Sequence, residues 1–329
     1  MTIKVGVIGC GGIAAVHARG YLAIPDEVQV TAVADVAEEN ARTLSETLGG
    51  ARVFADVRDL LAQGDVDAVD VCLPHHLHRD AIMAAAAAGK HILCEKPLCL
   101  TLDEAADIRR AVRDNAVTLM CAHNQLYYPA VRRAKELLDA GALGCVYELR
   151  TVDTFFAHWL KADGSWRNKR ALSGGGELID TGYHPTYTLL YLAASAPSEV
   201  TALLSQHRLH DLEAEDSAQV LVRFADGTIG NIVTSWAYEL PVGAMSFHVV
   251  GERGQLYGAG SRLWHKPAGA EPVETVLPEV DAFAAEIADF VACLRDGRAP
   301  LQTEQHGTDV LALILGAYRS EAEKRTVSL

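Results

Sequence analysis

The chain is short of several things, and each shortage excludes something. Across 329 residues no apolar run approaches the roughly 18 that a membrane-crossing helix needs. Positive charge is scarce: 29 lysines and arginines stand against 43 aspartates and glutamates, a formal net charge of −14. Such a chain has no basic surface with which to displace counterions from a phosphate backbone, so no nucleic-acid partner is expected. The opening "MTIKVGVIG" lacks the charged, apolar and small-residue order of a secretory leader. The seven cysteines (Cys10, Cys72, Cys94, Cys99, Cys121, Cys145, Cys293) are odd in number and show no paired metal-ligand spacing. Several lie inside apolar runs, where a thiol acts as a small core hydrophobe. That usage suits the reducing cytoplasm, which is the expected location.

What is present is ordinary in bulk and specific in pattern. Hydrophobic residues make up 50% and charged residues 22%, the balance of a globular protein with two domains' worth of chain. The first third alternates short β-branched runs with helical stretches. "IKVGVIG" precedes a helix over 13–23, "VQVTAVAD" precedes a polar helix over 37–48, and "DAVDVCLP" precedes the alanine-rich "HRDAIMAAAAAGK". "HILCEKP" precedes "TLDEAADIRRAVRDN", where Thr101 and Glu104 form a capping box, and "VTLMCAHN" closes the series. This alternation predicts βαβ units and a doubly wound parallel sheet over residues 1–124. After about residue 125 a helix, "AVRRAKELLDAG", leads into "CVYELRTVDTFF". Long strand-like runs follow from 198 onward, with an Asp226–Gly227 turn, and two helices over 281–295 and 305–323 end the chain. Residues 125–329 therefore read as an α/β domain with a large, open, mostly antiparallel sheet. Two domains without a floppy linker predict a cleft between them, a usual place for small-molecule chemistry.

"VIGCGGIA" carries Gly9 and Gly11, with Ala14 in the third position, between a strand and a helix. That is the context of a dinucleotide fingerprint. Gly9 allows the tight turn. Gly11, with Gly12 and Ile13, lets the backbone approach a pyrophosphate at the helix N-terminus. The second strand ends in Asp35, about twenty residues on, where a ribose-binding carboxylate belongs. A helix cap before "VAEEN" is the plainer reading of Asp35. A carboxylate there repels a 2′-phosphate, and Val36 and Ala37 follow rather than arginine, so NAD is favoured over NADP.

"ILCEKPLCL" brings Lys96 just past a strand end, where a doubly wound sheet presents its ligands, and Pro97 restricts the lysine to extended backbone. A cis Lys96–Pro97 bond is a further way to aim it. "SGGGELIDTGYHPTY" holds three glycines, which permit close approach or movement, and then Asp180 and His184 four residues apart. On a helix that spacing puts both on one face, and a histidine beside a carboxylate can act as acid or base near neutral pH. A surface i,i+4 pair is the bland alternative.

With "GCGGIAAVHA", "LPHHLHRDAIMAAAAAGKHILCEKPL", "WRNKRALSGGGELIDTGYH" and "ILGAYRSEAEKRTVSL" in view, the chain resembles the glucose–fructose oxidoreductase and inositol dehydrogenase family (Gfo/Idh/MocA) over nearly its whole length. The resemblance implies a Rossmann domain followed by an α/β domain with an open sheet, and Lys96, Asp180 and His184 as the catalytic group. It implies that His184 takes the hydroxyl proton, Lys96 hydrogen-bonds the reacting oxygen, and Asp180 orients its neighbours. It also places Trp166 and Arg167 in a segment that reaches the cofactor. Many members carry an aspartate three residues after the histidine; Tyr187 stands there in this chain. Pro185 directly follows His184, so the helix kinks there or begins near it.

Other candidates sit at strand ends. Pro74, His75 and His78, with His76, follow the third strand of that alternation and suit cofactor contact better than a metal, since no partner cluster completes a ligand set. Glu95 beside Lys96 and Asn124 at the last strand's end are further cofactor candidates. His123, Tyr127, Trp159 and Tyr187 are substrate candidates; Trp159 and Trp236 could stack on a sugar but suit the core as well. The leading reading is an NAD-dependent dehydrogenase of a secondary alcohol in a sugar, sugar derivative or cyclitol. A redox-neutral enzyme working through a keto intermediate, and a nucleotide-sensing regulator, are the alternatives. A homodimer or homotetramer is expected, because the long β-branched runs leave one sheet face to cover.

Overall fold

The computed structural model of the protein describes residues 2–158, 160 and 165–329. By packing, the chain forms two units. One comprises Met1–Asn124 with Asp281–Thr308, the other Gln125–Val280 with Asp309–Leu329. The stretch Asp281–Thr308, read from the sequence as part of the second domain, thus packs with the first. Chain order alone does not say which core an amphipathic helix will join.

In the first unit six strands lie in one sheet: β1 (Ile3–Ile8), β2 (Val28–Ala34), β3 (Arg52–Phe54), β4 (Ala68–Val71), β5 (His91–Cys94) and β6 (Leu119–Cys121). Their order is β3-β2-β1-β4-β5-β6 and every pair is parallel. That is the Rossmann order, with the direction reversal between β1 and β4. All of β4 and the last four residues of β1 are buried, as strands covered on both faces must be. The connecting helices are α1 (Gly12–Leu22), α2 (Glu38–Thr47), α3 (Val57–Gln63), α4 (His78–Ala87) and α5 (Leu102–Asp114). The short β3 and α3 are additions to the expected series. The capping box at Thr101 and Glu104 is formed. Gly9 has φ +88°, and a Cβ there would lie 2.5 Å from the Cys72 carbonyl oxygen, so only glycine fits this turn.

The second unit contains α6 (Pro129–Asp139), β7 (Val146–Thr154), α7 (Arg170–Ser173), α8 (Tyr183–Ala193), β8 (Pro197–Ser205), β9 (Ser217–Phe224), β10 (Ile229–Ser235), β11 (Phe247–Gly251), β12 (Gly254–Ala259), β13 (Arg262–Pro267) and β14 (Val273–Val276). In the last part of the chain, α9 (Ala282–Asp296) belongs to the first unit, α10 (Glu304–Glu323) follows it, and β15 (Val327–Ser328) closes the second unit. The nine-stranded sheet runs β14-β13-β12-β11-β7-β10-β9-β8-β15. It is antiparallel except for β7–β10, which pair in parallel, so the sheet is mostly antiparallel as expected. β9 and β10 meet at the Asp226–Gly227 turn, with Gly227 at φ +91°. β9 alternates buried and exposed residues after its first position, the mark of a sheet covered on one face only. α8 packs on β7 and β10, and α6 on β12 and β13.

Candidate active site

The strand ends of the first unit carry most of the predicted cofactor residues. Gly11 caps α1 without a side-chain hydrogen bond, so the N–H groups of the first turn are left to a ligand. A Cβ at Gly11 or Gly12 would meet nothing within 4 Å, which leaves an open approach to this helix end. Asp35, at the end of β2, accepts from Cys10 N–H through Oδ2 and from Ala37 N–H through Oδ1, both at 2.7 Å. Asp35 does not cap α2, whose N-cap is Ala37 without a side-chain hydrogen bond; each of its oxygens holds one main-chain donor and keeps a second lone pair, which a ribose hydroxyl would need. An uncapped helix end, open glycines and an oriented carboxylate suit a dinucleotide. Ile13 lies in the first turn of the same helix.

Beyond β4, Pro74 precedes a single 3-10 turn, His75–Leu77, with His75 buried. His78 is directed inward rather than toward a ligand: Nδ1 lies 2.7 Å from the Pro97 carbonyl and Nε2 2.8 Å from the Leu73 carbonyl. Burial lowers its basicity despite these two carbonyls. The ring thus ties the loop after β4 to the loop after β5, and its expected cofactor contact gives way to this structural task. Lys96 is half-buried past β5, and its bond to Pro97 is cis. Glu95 also turns inward, with Oε1 3.2 Å from His17 Nε2 and Oε2 accepting from Lys96 N–H at 3.0 Å. His123 is fully buried after β6 with Nδ1 2.9 Å from Gln302 Oε1, and burial pushes it down to about 3, so it stays neutral. Asn124 is buried beside it.

The second unit holds two side-chain groups, Trp166 with Arg167 and Asp180, and His184 with Tyr187. α8 starts at Tyr183, so Pro185 falls harmlessly in the first turn and Asp180 lies in the turn before the helix. The expected shared helix face for Asp180 and His184 is therefore replaced by a turn-to-helix arrangement. Arg167 Nε donates to Asp180 Oδ2 at 2.7 Å, and its guanidinium stacks over Trp166, 4.2 Å from the ring centroid. The pair predicted to touch cofactor thus also holds Asp180, which is 2% exposed. His184 Nδ1 lies 2.7 Å from Tyr187 Oη, which accepts from Gln125 N–H at 3.0 Å. The Tyr187 hydroxyl thus ties the His184 ring to the Gln125 main chain. Tyr127 is buried, with Arg132 over its ring. Trp159 lies outside the described residues. Trp236 is 1% exposed and packs with Ala157 and Leu212 in the core.

Two buried carboxylates behind the glycine run were not singled out from sequence. Glu215 accepts from Gly176 N–H and Leu178 N–H through Oε1, and from Tyr318 Oη at 2.8 Å. Burial raises it. Glu177 Oε1 accepts from Thr181 at 2.8 Å and from Thr234, and burial pushes this carboxyl well above its usual range. A Cβ on Gly176 would stand 1.9 Å from the Glu215 carbonyl oxygen, and one on Gly175 2.1 Å from Tyr318 Oη. The glycines serve close packing, and that packing fixes the Asp180 turn. The glutamate inside "GGGEL" was the available signal.

Comparison with known proteins settles the family. The profile described as "Oxidoreductase family, NAD-binding Rossmann fold" matches residues 3–123, and that of the GFO/IDH/MocA C-terminal domain matches 131–257. The chain belongs to the GFO/IDH/MocA oxidoreductases. Among its relatives, levoglucosan dehydrogenase of Pseudarthrobacter phenanthrenivorans is 31% identical over 70% of this chain and 66% of that protein. Myo-inositol 2-dehydrogenase of Thermotoga maritima is 26% identical over 99% and 98% of the two chains. A solved levoglucosan dehydrogenase in complex with NADH and levoglucosan superposes with a TM-score of 0.90 at 25% identity, covering 100% of this chain and 99% of that one. Membership makes the protein an oxidoreductase with an NAD-binding Rossmann fold. No helix among the described residues is long and apolar enough to cross a membrane.

Proposed function

We propose that the protein is an NAD-dependent dehydrogenase of a secondary alcohol in a sugar, sugar derivative or cyclitol. The observation that carries this reading is the oriented pair in the second unit: a buried Asp180 held by Arg167, and His184 held through Tyr187 by Gln125 N–H. A nucleotide sensor has no need of an acid–base group fixed in this way. The sugar-directed relatives supply the substrate class.

Bound NAD supplies a hydride acceptor. Gly9, Gly11, Gly12, Ile13 and the first turn of α1 hold its pyrophosphate, Asp35 its adenosine ribose, and the loops of Pro74–His75 and Lys96 border it, with Asn124, Trp166 and Arg167 as further contacts. Asp35 selects NAD over NADP. Lys96 donates a hydrogen bond to the reacting oxygen and stabilises negative charge as its proton leaves. His184, with Nδ1–H donated to Tyr187, accepts that proton at Nε2. Asp180 and Arg167 set the orientation, and His123, Tyr127 and Tyr187 are the substrate-side candidates. The test is a scan of polyols and glycosides with NAD, followed by NADH absorbance. Steady NADH formation supports the dehydrogenase. A protein that turns substrate over with NAD retained and no NADH released is a redox-neutral enzyme instead.

A further inference from the structure

The first unit contains a buried polar chain that the proposed function does not use. His17, on α1, is completely buried. Its Nδ1 lies 2.8 Å from Asp70 Oδ2 on β4, and its Nε2 lies 3.2 Å from Glu95 Oε1. Tyr21 Oη donates to Asp70 Oδ2 at 3.0 Å, and Cys72 Sγ to Asp70 Oδ1 at 3.4 Å. The other oxygen of Glu95 accepts from Lys96 N–H. From α9, Phe283 lies against the imidazole, 5.9 Å between centroids. Glu286 of the same helix faces His17, Glu95 and Asp70, and neither of its buried carboxyl oxygens has a hydrogen-bond partner among the described residues.

Both imidazole nitrogens therefore meet carboxylate oxygens, which only accept. A neutral ring donates to one and opposes the other with a lone pair; the doubly protonated ring satisfies both. Burial opposes that charge, yet Asp70 and Cys72 beside the ring hold its proton well above the ordinary histidine range. Burial pushes the Glu286 carboxyl well above its usual range, which favours its neutral form beside this ion pair. His17, Asp70 and Cys72 also have the residue types of a metal site. But donors that share a tetrahedral zinc at about 2.0–2.1 Å stand roughly 3.3 Å apart, and His17 and Asp70 are at hydrogen-bond distance.

We propose that His17 is a positioning residue for Lys96: anchored on Asp70, its ring holds the Glu95 carboxylate against Lys96 N–H and so fixes the turn from which Lys96 reaches the reacting oxygen. This rests on the role given to Lys96 above. Three measurements on the full chain test it. Nitrogen-15 spectra of the histidine rings should show both nitrogens of His17 protonated at neutral pH. In His17→Leu, hydrogen exchange at Lys96 N–H should quicken at least about tenfold, the scale of one lost hydrogen bond, while NAD affinity by fluorescence stays within about threefold. With levoglucosan or myo-inositol as probe, single-turnover hydride transfer should slow at least about tenfold, and His17→Gln, which keeps one donor toward Glu95, should recover part of it. Should His17→Leu not fold, Glu95→Gln carries the exchange measurement with the shape kept. A singly protonated His17, or unchanged Lys96 exchange in these variants, overturns the proposal. If Lys96→Ala keeps full hydride transfer, the role of Lys96 has failed instead. A parent that turns over neither probe counts against the substrate class and leaves the ring and exchange measurements to decide.

Discussion

At the residue scale, three side chains give separable predictions. Lys96→Ala should keep the fold and NAD binding but lose about a hundredfold to ten-thousandfold in turnover, the range of acid–base groups. Rapid mixing should place the loss in the first hydride transfer. Lys96→Arg should not restore it, because a planar, permanently charged head replaces a compact one. Turnover within about threefold of the parent would reduce Lys96 to a strand-end residue. Changing Asp35 to Ser with Val36 to Arg should move preference from NAD toward NADP, read from the two dissociation constants. Tighter NADP binding by the parent would remove Asp35 from the ribose role. Glu286 yields a stability prediction. Burial raises its folded-state value above the unfolded 4.5, so its favourable contribution is complete below that pH and is lost as pH climbs toward the folded value. The loss runs at about 1.4 kcal/mol per pH unit within that window. Glu286→Gln carries no such proton. Thermal melts should therefore show the variant close to the parent near pH 4.5 and more stable than the parent at pH 8.

At the element scale, the two glycine-rich turns do different work. Gly176 is packed against the Glu215 main chain, whereas Gly11 borders open space at the end of α1. Gly176→Ala should destabilise the protein by about 1–3 kcal/mol through overpacking, visible in urea unfolding. Gly11→Ala should leave unfolding unchanged and weaken NAD binding instead. Equal effects on both measurements would erase the distinction. The same contrast explains what the sequence made legible. The α1 turn, the Thr101 capping box and the Asp226–Gly227 hairpin are local, and their residues carry the signal within a few positions. The Asp180 turn is not local. Its shape depends on Glu215, brought in by the segment before β9, and on Tyr318 from α10. Spacing alone suggested a helix where the chain makes a turn. Nor could periodicity assign α9 to the first unit, since an amphipathic helix does not name its partner. His78 and Glu95 were legible as strand-end polar residues, but not as inward-facing ones, because their partners come from a neighbouring loop and from α1.

At the scale of the whole molecule, the nine-stranded sheet leaves a question of coverage. One face is packed by α6 and α8. On the other, Trp264, Tyr257, His248, Arg150, Asn231, Leu221 and Thr201 stand in register across seven strands. Tyr257 and Trp264 stack at 5.8 Å, while Leu203 is 70% and Leu221 50% exposed. Exposed leucines and stacked aromatic rings on a sheet face are costly to leave in water. A second copy can bury the face by a symmetric, self-complementary contact. A dimer or tetramer is therefore the expected state in solution. The charged neighbours Arg150, Arg223 and Glu148 on the same face set the register of such a contact rather than its strength, since exposed ion pairs contribute only about 0–1 kcal/mol. Light scattering at micromolar concentration should give the mass of an oligomer. The double variant Leu203→Glu, Leu221→Glu puts like charges into this face and should shift the mass toward 35.3 kDa, that of one chain. Because both positions are exposed, circular dichroism should be unchanged, so loss of assembly can be told from loss of fold. A parent that already scatters as a monomer would mean that the face is open to solvent and that its exposed leucines and aromatic pair have another use.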